Sequence, residues 1–227
     1  MLRAKLILER LDKDYRLLKR KEQQSRSFTK SFIQLLYVAH AQIQNSDPYT
    51  MKDITNIDRG VDGQSENTNI RRSKANLRIS APGGGTGLWC SIGRGDGGAT
   101  WPLQTILESE KVGIVVGTGT NTVTPTDVAL QTKIVHGRAA GQLEYGGCEL
   151  LNIVFANPNG EFTIRRYFTN ASGSSITVNE VGIYAPGTDY GDHWAWSFLI
   201  ARDLVSPGVA VADAEILRVT YVLQITV

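Results

Sequence analysis

The sequence has few of the residues that build metal sites and catalytic sites: its 227 residues include two cysteines and three histidines. Cys90 and Cys148 lie in glycine-rich contexts without a CxxC spacing or a histidine partner, so we expect no zinc site, while a single disulfide between them stays open. His40, His136 and His193 lie in unrelated segments. The GxSxG, HExxH and GxxxxGK[ST] motifs are also missing. These absences predict a protein that is not an enzyme and has no metal or cofactor.

The sequence also lacks the apolar run of about 18 residues that a membrane helix requires. A secretory signal is not expected either, because Lys5, Glu9 and Arg10 interrupt the stretch MLRAKLILERLDKDY, which would have to contain an apolar segment. These features predict a protein that is made in a cytosol and has no membrane partner.

Charge is uneven along the chain. The net charge is +2, but residues 1–30 hold ten Lys or Arg and four Asp or Glu, a balance of +6 that leaves −4 for the other 197 residues. A basic end of this kind could contact nucleic acid. A solvated face of a hairpin or helix is favoured instead, because the basic residues alternate with Leu and Ile and lack the aromatic residues of a nucleic-acid platform.

Residues 1–48 contain the signals of a hairpin followed by an amphipathic helix. The runs KLILERL and RLLKRKE have strand length and flank a turn-forming cluster at 12–15, which favours a hairpin over one long charged helix. Ser27 is a good N-cap, and the residues at 45–48 stop a helix. Apolar residues recur between these points at three- and four-residue spacing, namely Phe28, Phe32, Leu35, Leu36, Ala39 and Ile43.

Residues 49–110 predict a glycine-rich arm or long loops, because eight of the sixteen residues from Gly83 to Gly98 are glycine. Residues 111–227 predict a β-sandwich core. It begins with a strand at 113–116 and a short helix at 124–135 that a Thr-Pro-Thr-Asp sequence would open. Further strands are expected at 149–156, 161–169, 175–184, 196–205 and 215–227, the fourth of them ended by a turn at 206–208.

The predicted fold is therefore mainly β. It has an antiparallel β-sandwich or jelly-roll-like core, an N-terminal hairpin and helix, and one short internal helix. The last strand carries the clearest signal, because apolar residues occupy every odd position from Leu217 to Val227. One face of this strand should therefore lie against the core, and a short C-terminal truncation should damage folding.

Two charged residues fall on apolar faces of neighbouring predicted strands. Arg166 lies on the apolar face of the strand at 161–169, and Glu180 lies on that of the strand at 175–184. If these strands form a hairpin, Arg166 and Glu180 are diagonal neighbours. A structural ion pair that fixes the register is favoured over a general acid or base, because the pair supplies no nucleophile and no second acid. The Asn-x-Ser sequence at 170–172 is then the tip of the hairpin, not a glycosylation site.

Two further patterns have a functional and a structural interpretation. Trp194 and Trp196 have strand spacing, which places both rings on one face. They could stack on a sugar, although burial in a core or between subunits is the more common use of such rings. The run GTGTNT at 117–122 half resembles a dinucleotide-binding loop but lacks the third glycine, so a tight strand-to-helix turn is favoured.

Three segments resemble minor structural proteins of tailed bacteriophages: GIVVGTGTNTVTPTDVALQTKIVHG (113–137), FTIRRYFTNASGSSITVNEVGIY (162–184) and FLIARDLVSPGVAVADAEILRVTYVLQITV (198–227). In that family a glycine-threonine turn leads to a "D..L" helix, an "R.FTN.SG..ITV.E.G.Y" hairpin, an "RD" strand and a terminal "L.VTY.L.I.V" strand. The segment LERLDKDYRLLKRKEQQSRSFTKSFIQLLYV is also similar to the opening of such proteins, with Tyr15 in the place of a turn glycine.

The resemblance implies a non-enzymatic virion component that is present in several copies and assembled in the host cytoplasm. Its expected partners are itself, as a homo-oligomer, and other virion proteins, with nucleic acid not favoured. The GTGT turn and the pair formed by Arg166 and Glu180 would be architectural. A place in the tail, neck or baseplate is the first interpretation. The alternatives are a capsid decoration protein and a carbohydrate- or receptor-binding module at a tail tip, which would use Trp194 and Trp196.

Overall fold

The computed structural model describes residues 2–25, 27–41, 49–62, 73–74, 110–151, 154–188 and 194–226. Within these ranges the chain forms two six-stranded sheets and one helix, and the prediction of a mainly β fold with antiparallel sheets is confirmed. In chain order the elements are β1 (Leu2–Leu11), β2 (Leu17–Ser25), α1 (Lys30–Ala41), β3 (Tyr49–Lys52), β4 (Asp58–Asp62), β5 (Ser73–Lys74), β6 (Gly113–Gly117), β7 (Glu144–Leu150), β8 (Val154–Ala156), β9 (Asn159–Thr169), β10 (Ile176–Thr188), β11 (Trp194–Val211) and β12 (Ile216–Thr226).

The first sheet has the strand order β2-β1-β12-β9-β7, and β8 pairs with β9. The predicted alternation in β12 is confirmed, because Leu217, Val219 and Tyr221 are completely buried. Tyr221 lies between Leu6 of β1 and Ile164 of β9, which are also buried. Side chains of neighbouring strands at the same level point to the same face, so this face forms one side of the core.

The second sheet has the strand order β11-β10-β5-β4-β3, and β6 pairs with β10. Every residue of β6 is buried. The reason is that β6 lies between β10 and the chain at 132–134, where the Ile134 amide donates to the Val116 carbonyl (2.9 Å). The sheet is antiparallel except for the short parallel pair of β4 and β5.

Polar side chains join the two sheets at their facing surfaces. The Tyr221 hydroxyl of the first sheet donates to the Asp203 carboxylate of β11 (3.0 Å), and the Ser25 hydroxyl of β2 donates to the same carboxylate oxygen (2.7 Å). Burial raises the pKa of Tyr221, and the neighbouring Asp203 carboxylate raises it further. The tyrosine therefore stays neutral and acts as a hydrogen-bond donor in the core.

The N-terminal hairpin is confirmed, and it is part of the first sheet because β1 pairs with β12 along its whole length. Its turn closes with a hydrogen bond from the Tyr15 amide to the Asp12 carbonyl (3.0 Å). Tyr15 takes the positive φ of 62° that a glycine would take more easily. Its ring packs edge-on against Tyr167, with the centroids 5.9 Å apart, which offsets part of the cost of that conformation.

The helix α1 begins at Lys30, so the prediction of Ser27 as its N-cap is wrong. The chain at 27–29 continues beside β11 instead: the Arg202 amide donates to the Ser27 carbonyl (3.1 Å), and the Thr29 amide donates to the Ile200 carbonyl (3.0 Å). The predicted apolar stripe is confirmed at Leu35, which is buried in the core, and at Phe28 and Phe32, which pack against the core. Val38, which the prediction did not include, is buried as well.

The short internal helix predicted at 124–135 is absent. These residues belong to an irregular segment, residues 118–135, that is called the covering loop below. Its residues 130–132 bond to side chains of β10, and its residues 132–134 lie beside β6. The amides of Leu130, Gln131 and Thr132 donate to side chains of β10, so they are not available for a helical hydrogen-bond ladder. The predicted turn at 206–208 is also not a strand end, because β11 continues through it to Val211 with a shift of register.

Part of the predicted glycine-rich arm is described. Residues 49–62 form the hairpin of β3 and β4, and β5 joins this hairpin to β10. The rest of the glycine-rich run, including 83–98, lies outside the described residues. The division into 1–48, 49–110 and 111–227 stays a prediction. In the part of the chain that the structure covers, no helix is long and apolar enough to span a bilayer.

Candidate functional site

A groove of about 860 Å³ lies between α1, the hairpin of β3 and β4, and the covering loop. Most of its lining is made of hydroxyl and amide side chains, with a few charged residues. The lining residues are Lys30, Ser31, Gln34, Thr50, Met51, Lys52, Asn56, Asp58, Asn121, Thr122, Thr124, Thr126, Asp127, Val128, Ala129, Gln131 and Arg202.

The carboxylate of Glu180 holds the covering loop against the second sheet. Its side chain is completely buried, and it accepts backbone hydrogen bonds from Gly119 (3.1 Å), Gln131 (3.1 Å) and Thr132 (2.7 Å). A buried carboxylate that accepts several amide hydrogen bonds fixes the backbone around it. Glu180 therefore organises both ends of the covering loop.

Arg202 of β11 completes this charged network. Its guanidinium donates to the carboxylates of Glu180 (2.8 Å) and Asp127 (2.7 Å) and to the Asn121 carbonyl (3.2 Å). Burial opposes the charged form of Arg202, but the hydrogen bonds to Asp127 and Glu180 outweigh it and raise the pKa of the guanidinium. Burial likewise opposes ionisation of Asp127, but hydrogen bonds from Thr124 and Arg202 hold its pKa below the usual value. Arg202 and Asp127 are therefore both charged at neutral pH.

The glycine-threonine turn is shaped by this network. A Cβ atom on Gly117 would lie 2.5 Å from the Thr132 carbonyl oxygen and 2.6 Å from Oε1 of Glu180. A Cβ atom on Gly119 would lie 2.4 Å from Oε1 of Glu180, and the Gly119 amide donates to the same oxygen (3.1 Å). The turn therefore approaches a carboxylate of its own chain, which explains its two glycines without a bound phosphate.

The predicted pairing of Arg166 with Glu180 is wrong in geometry. The strands β9 and β10 do not pair with each other: β9 lies in the first sheet between β12 and β7, whereas β10 lies in the second sheet and pairs with β11. The ion-pair partner of Glu180 is Arg202. Alternation along a strand specifies the face of each side chain but not the partner strand, so the sequence pattern was compatible with either arrangement.

Arg166 is nevertheless completely buried, on the face of the first sheet that meets β6. Its guanidinium donates to the carbonyls of Gly146 (2.8 Å), Val112 (3.0 Å) and Ile114 (2.9 Å). It also lies 4.7 Å from the centroid of the Tyr145 ring, and burial lowers the pKa of the guanidinium. Arg166 therefore ties the first sheet to the chain that leads into β6, a structural role.

The Asn-x-Ser sequence is not a hairpin tip, because residues 170–175 pass from the first sheet to the second. The Asn170 side chain is completely buried and donates to the carbonyls of Ser174 and Val211 (both 2.8 Å). Its side-chain oxygen accepts from the amide and hydroxyl of Ser172. Asn170 therefore stabilises the crossover between the sheets.

The backbone positions of Trp194 and Trp196 are in β11, opposite Thr188 and Gly187 of β10. Their side chains lie outside the described part of the structure, so the predicted sugar-stacking or interface role stays a prediction.

Cys148 carries a free thiol, and Cys90 lies outside the described residues. Among the described residues, no group of three or more His, Cys, Asp or Glu side chains is placed to hold a metal ion.

Sequence reasoning missed Arg202 and Asp127 as members of the Glu180 network. A signal for Arg202 was present, because Arg202 and Asp203 interrupt an otherwise apolar strand, and adjacent charges inside such a strand are buried on opposite faces and require partners. Asp127 gave no such signal, since its local sequence is that of a helix start.

Comparison of the chain with known proteins finds no match to a family model, to a curated protein or to a solved structure.

Proposed function

We propose that this protein is a non-enzymatic structural subunit of a tailed-phage virion, present in several copies in the tail, neck or baseplate. The virion of a tailed phage is proposed because of the sequence resemblance. The role in assembly is supported by a row of exposed apolar residues on the first sheet. The row continues the surface of the core beyond the region that the second sheet covers.

This row runs across three strands. Ile225 of β12 lies on the same face as the buried Val219 and Tyr221, yet it is 56% exposed. Gly160 of β9 is opposite both Ile225 and Phe155 of β8, and Phe155 is 77% exposed. A contiguous apolar surface of this kind, unlike a scattered apolar residue, marks a contact surface for another protein.

The helix α1 supplies a second exposed apolar surface. Ile33 and Tyr37 are four residues apart, so they lie on one face of the helix, and they are 62% and 54% exposed. Two separate contact surfaces on one subunit are what a head-to-tail ring or a larger assembly requires. The same surfaces would serve a capsid decoration protein, so the position in the particle separates these two interpretations.

The test is self-association of the purified full chain. Sedimentation measurements should show concentration-dependent oligomers, and Phe155→Ser should weaken the association about tenfold or more because a buried aromatic contact is lost. Leu18→Ser, at a residue of β2 that is 50% exposed, is the matched control and should leave it unchanged. A strict monomer at high concentration, alone and with other virion proteins, would sink the proposal. If the oligomers form, electron microscopy of the particle locates the subunit.

A further inference from the structure

The strand β2 is an open edge of the first sheet. It pairs with β1 on one side and is the last strand of the sheet on the other. In the part of the chain that the structure describes, no backbone hydrogen bond reaches residues 17–24 from that outer side. Residues 17–20 are exposed. Every second residue of β2 therefore points an unpaired amide and carbonyl outward, and an extended chain can add to such an edge as a further strand.

The edge of β2 is also regular enough to accept a further strand. Its register with β1 is continuous from Lys19 to Ser25, and its sequence contains no proline. The edge strand β11 of the second sheet differs, because Pro207 lies within it and its register shifts near that residue. Prolines and shifts of register are devices that prevent the addition of a strand. β2 lacks both along this stretch.

Two lysines give this edge a positive charge. Lys19 and Lys21 are two residues apart in β2, so their side chains lie on the same face of the strand. Within the described ranges neither ammonium group forms an ion pair, and that of Lys21 donates to the Pro207 carbonyl (2.6 Å). Burial lowers the pKa of Lys21, and the neighbouring Lys19 ammonium lowers it further. A carboxylate beside the two lysines would relieve this repulsion.

The carboxylates nearest to these lysines along the sheet are engaged elsewhere. Glu22 of β2 points to the opposite face, where it pairs with Lys5 (3.1 Å) and Arg20 (3.0 Å). Glu215 pairs with Arg10 (2.9 Å), the residue of β1 that lies opposite the first of the two lysines. The charges of both lysines are therefore available to a partner.

These charges select the kind of strand that can be added. A second copy of β2 would bring lysines against lysines, and like charges that face each other in a sheet are destabilising. An acidic strand would instead place a carboxylate beside each lysine, because alternate residues of a strand are about 7 Å apart, as the two lysines are. Nucleic acid could meet the charges, but it has no peptide groups to pair with the backbone edge.

We propose that β2 binds an extended acidic segment of a partner protein, which adds to the first sheet as a further strand. The backbone of the segment pairs with the outward amides and carbonyls of residues 18–24, and its acidic side chains contact Lys19 and Lys21. This site does not depend on the proposed self-association, since Phe155 of β8 lies at the opposite edge of the sheet.

The experiment uses the full chain and a heptapeptide of alternating Glu and Val, acetylated and amidated at its ends. Calorimetry measures its affinity, and NMR follows the hydrogen exchange of the β2 amides. We expect the peptide to bind and to slow the exchange of the outward amides, which a purely electrostatic contact would not do. The double variant Lys19→Gln/Lys21→Gln should weaken binding about tenfold, since two ion pairs are lost.

Matched variants and peptides separate the charge from the addition of a strand. Lys30→Gln/Lys52→Gln removes two exposed charges elsewhere and should bind as the unmodified protein does, and circular dichroism should show that both double variants are folded. A heptapeptide of alternating Lys and Val should not bind. A heptapeptide of alternating Glu and Pro keeps the four carboxylates but cannot join a sheet, so it should bind about tenfold more weakly.

The opposite results would overturn the proposal in distinguishable ways. No binding of the Glu–Val peptide at about 5 mM, or unchanged affinity in the Lys19→Gln/Lys21→Gln variant, would overturn the site. Equal affinity for the Glu–Pro peptide, or unchanged exchange of the β2 amides, would overturn the addition of a strand. Tighter binding of a thymidine decanucleotide than of the Glu–Val peptide would overturn the protein partner and indicate nucleic acid.

Discussion

Nε of Arg202 donates to Oε2 of Glu180 at 2.8 Å, and both side chains are almost completely buried. The pair joins β10 to β11 on the face that the covering loop occupies. Glu180 also accepts three backbone amides of that loop, and Arg202 also donates to Asp127 and to Asn121. Because Glu180 and Arg202 compensate each other's charge in the interior, the removal of either one leaves the other buried without full compensation.

Glu180→Gln should therefore be strongly destabilising. The substitution keeps the size of the side chain but removes the charge that Arg202 and the loop amides require, and breaking a buried pair of this kind costs about 3–5 kcal/mol. Urea denaturation measures the free energy of unfolding. Glu22→Gln is the control, since Glu22 forms ion pairs with Lys5 (3.1 Å) and Arg20 (3.0 Å) at the surface, where such pairs contribute little to stability. Equal losses in the two variants would contradict a central role for Glu180.

Gly117→Ala should displace the covering loop. The new Cβ would lie 2.5 Å from the Thr132 carbonyl oxygen, which belongs to the backbone and cannot move without the loop. We expect a loss of about 2–3 kcal/mol in the free energy of unfolding. Gly141→Ala is the matched control: its Cβ would meet nothing within 4 Å, so the positive φ of 78° is the only cost, about 1 kcal/mol. A smaller loss at Gly117 than at Gly141 would refute the close approach.

How far the sequence predicts the fold depends on whether a feature is local. The alternation in β12 specified its buried face because side-chain direction is a property of the strand itself. The hairpin of β1 and β2 was predictable from its turn for the same reason. The partner of Glu180 was not predictable. Arg166 and Arg202 each lie on a strand that could pair with β10, and the pairing depends on which sheet each strand joins.

The covering loop shows a local signal that is overridden. The capping hydrogen bonds of the predicted helix do form, because the Thr124 amide and hydroxyl both donate to the Asp127 carboxylate (3.0 and 2.7 Å). No helix follows them, because the Leu130 amide donates to the Tyr184 hydroxyl and the Gln131 amide donates to Glu180. Tertiary acceptors on β10 replace the helical carbonyls, and a local sequence pattern carries no information about them.

Stability should fall in acid partly through Asp127. Hydrogen bonds from Thr124 and Arg202 outweigh the effect of burial and hold the pKa of Asp127 below 3.8 in the folded protein. A folded-state pKa below the unfolded value contributes stability that is complete above about pH 5 and is lost as the pH falls through the folded-state pKa. Urea denaturation at pH 6 and pH 3 should therefore show a smaller difference in Asp127→Asn than in the unmodified protein. The same difference in both proteins would contradict this assignment.

Tyr221→Phe tests the polar contact between the sheets. The substitution keeps the ring in the core but removes the hydroxyl that donates to Asp203 at 3.0 Å. Loss of one donor to a buried carboxylate should lower the free energy of unfolding by about 1–3 kcal/mol, measured by urea denaturation. Tyr37→Phe, at a residue that is 54% exposed, should change it by less than about 0.5 kcal/mol. If Tyr221→Phe leaves the free energy of unfolding unchanged, the Asp203 carboxylate does not require this hydroxyl.

Deletion of residues 223–227 should unfold or severely weaken the protein, because β12 is not at the edge of its sheet. In the deleted part Leu223 lies between Ala4 of β1 and Phe162 of β9, so the hydrogen bonds to both neighbouring strands are lost together. We expect the thermal midpoint, followed by circular dichroism, to fall by at least about 10 °C. Ile225→Thr separates the backbone from the side chain: Ile225 is 56% exposed, so its substitution should cost less than about 1 kcal/mol. If the truncated chain melts as the full chain does, β12 does not bind its sheet through this end, and the register of the first sheet is wrong there.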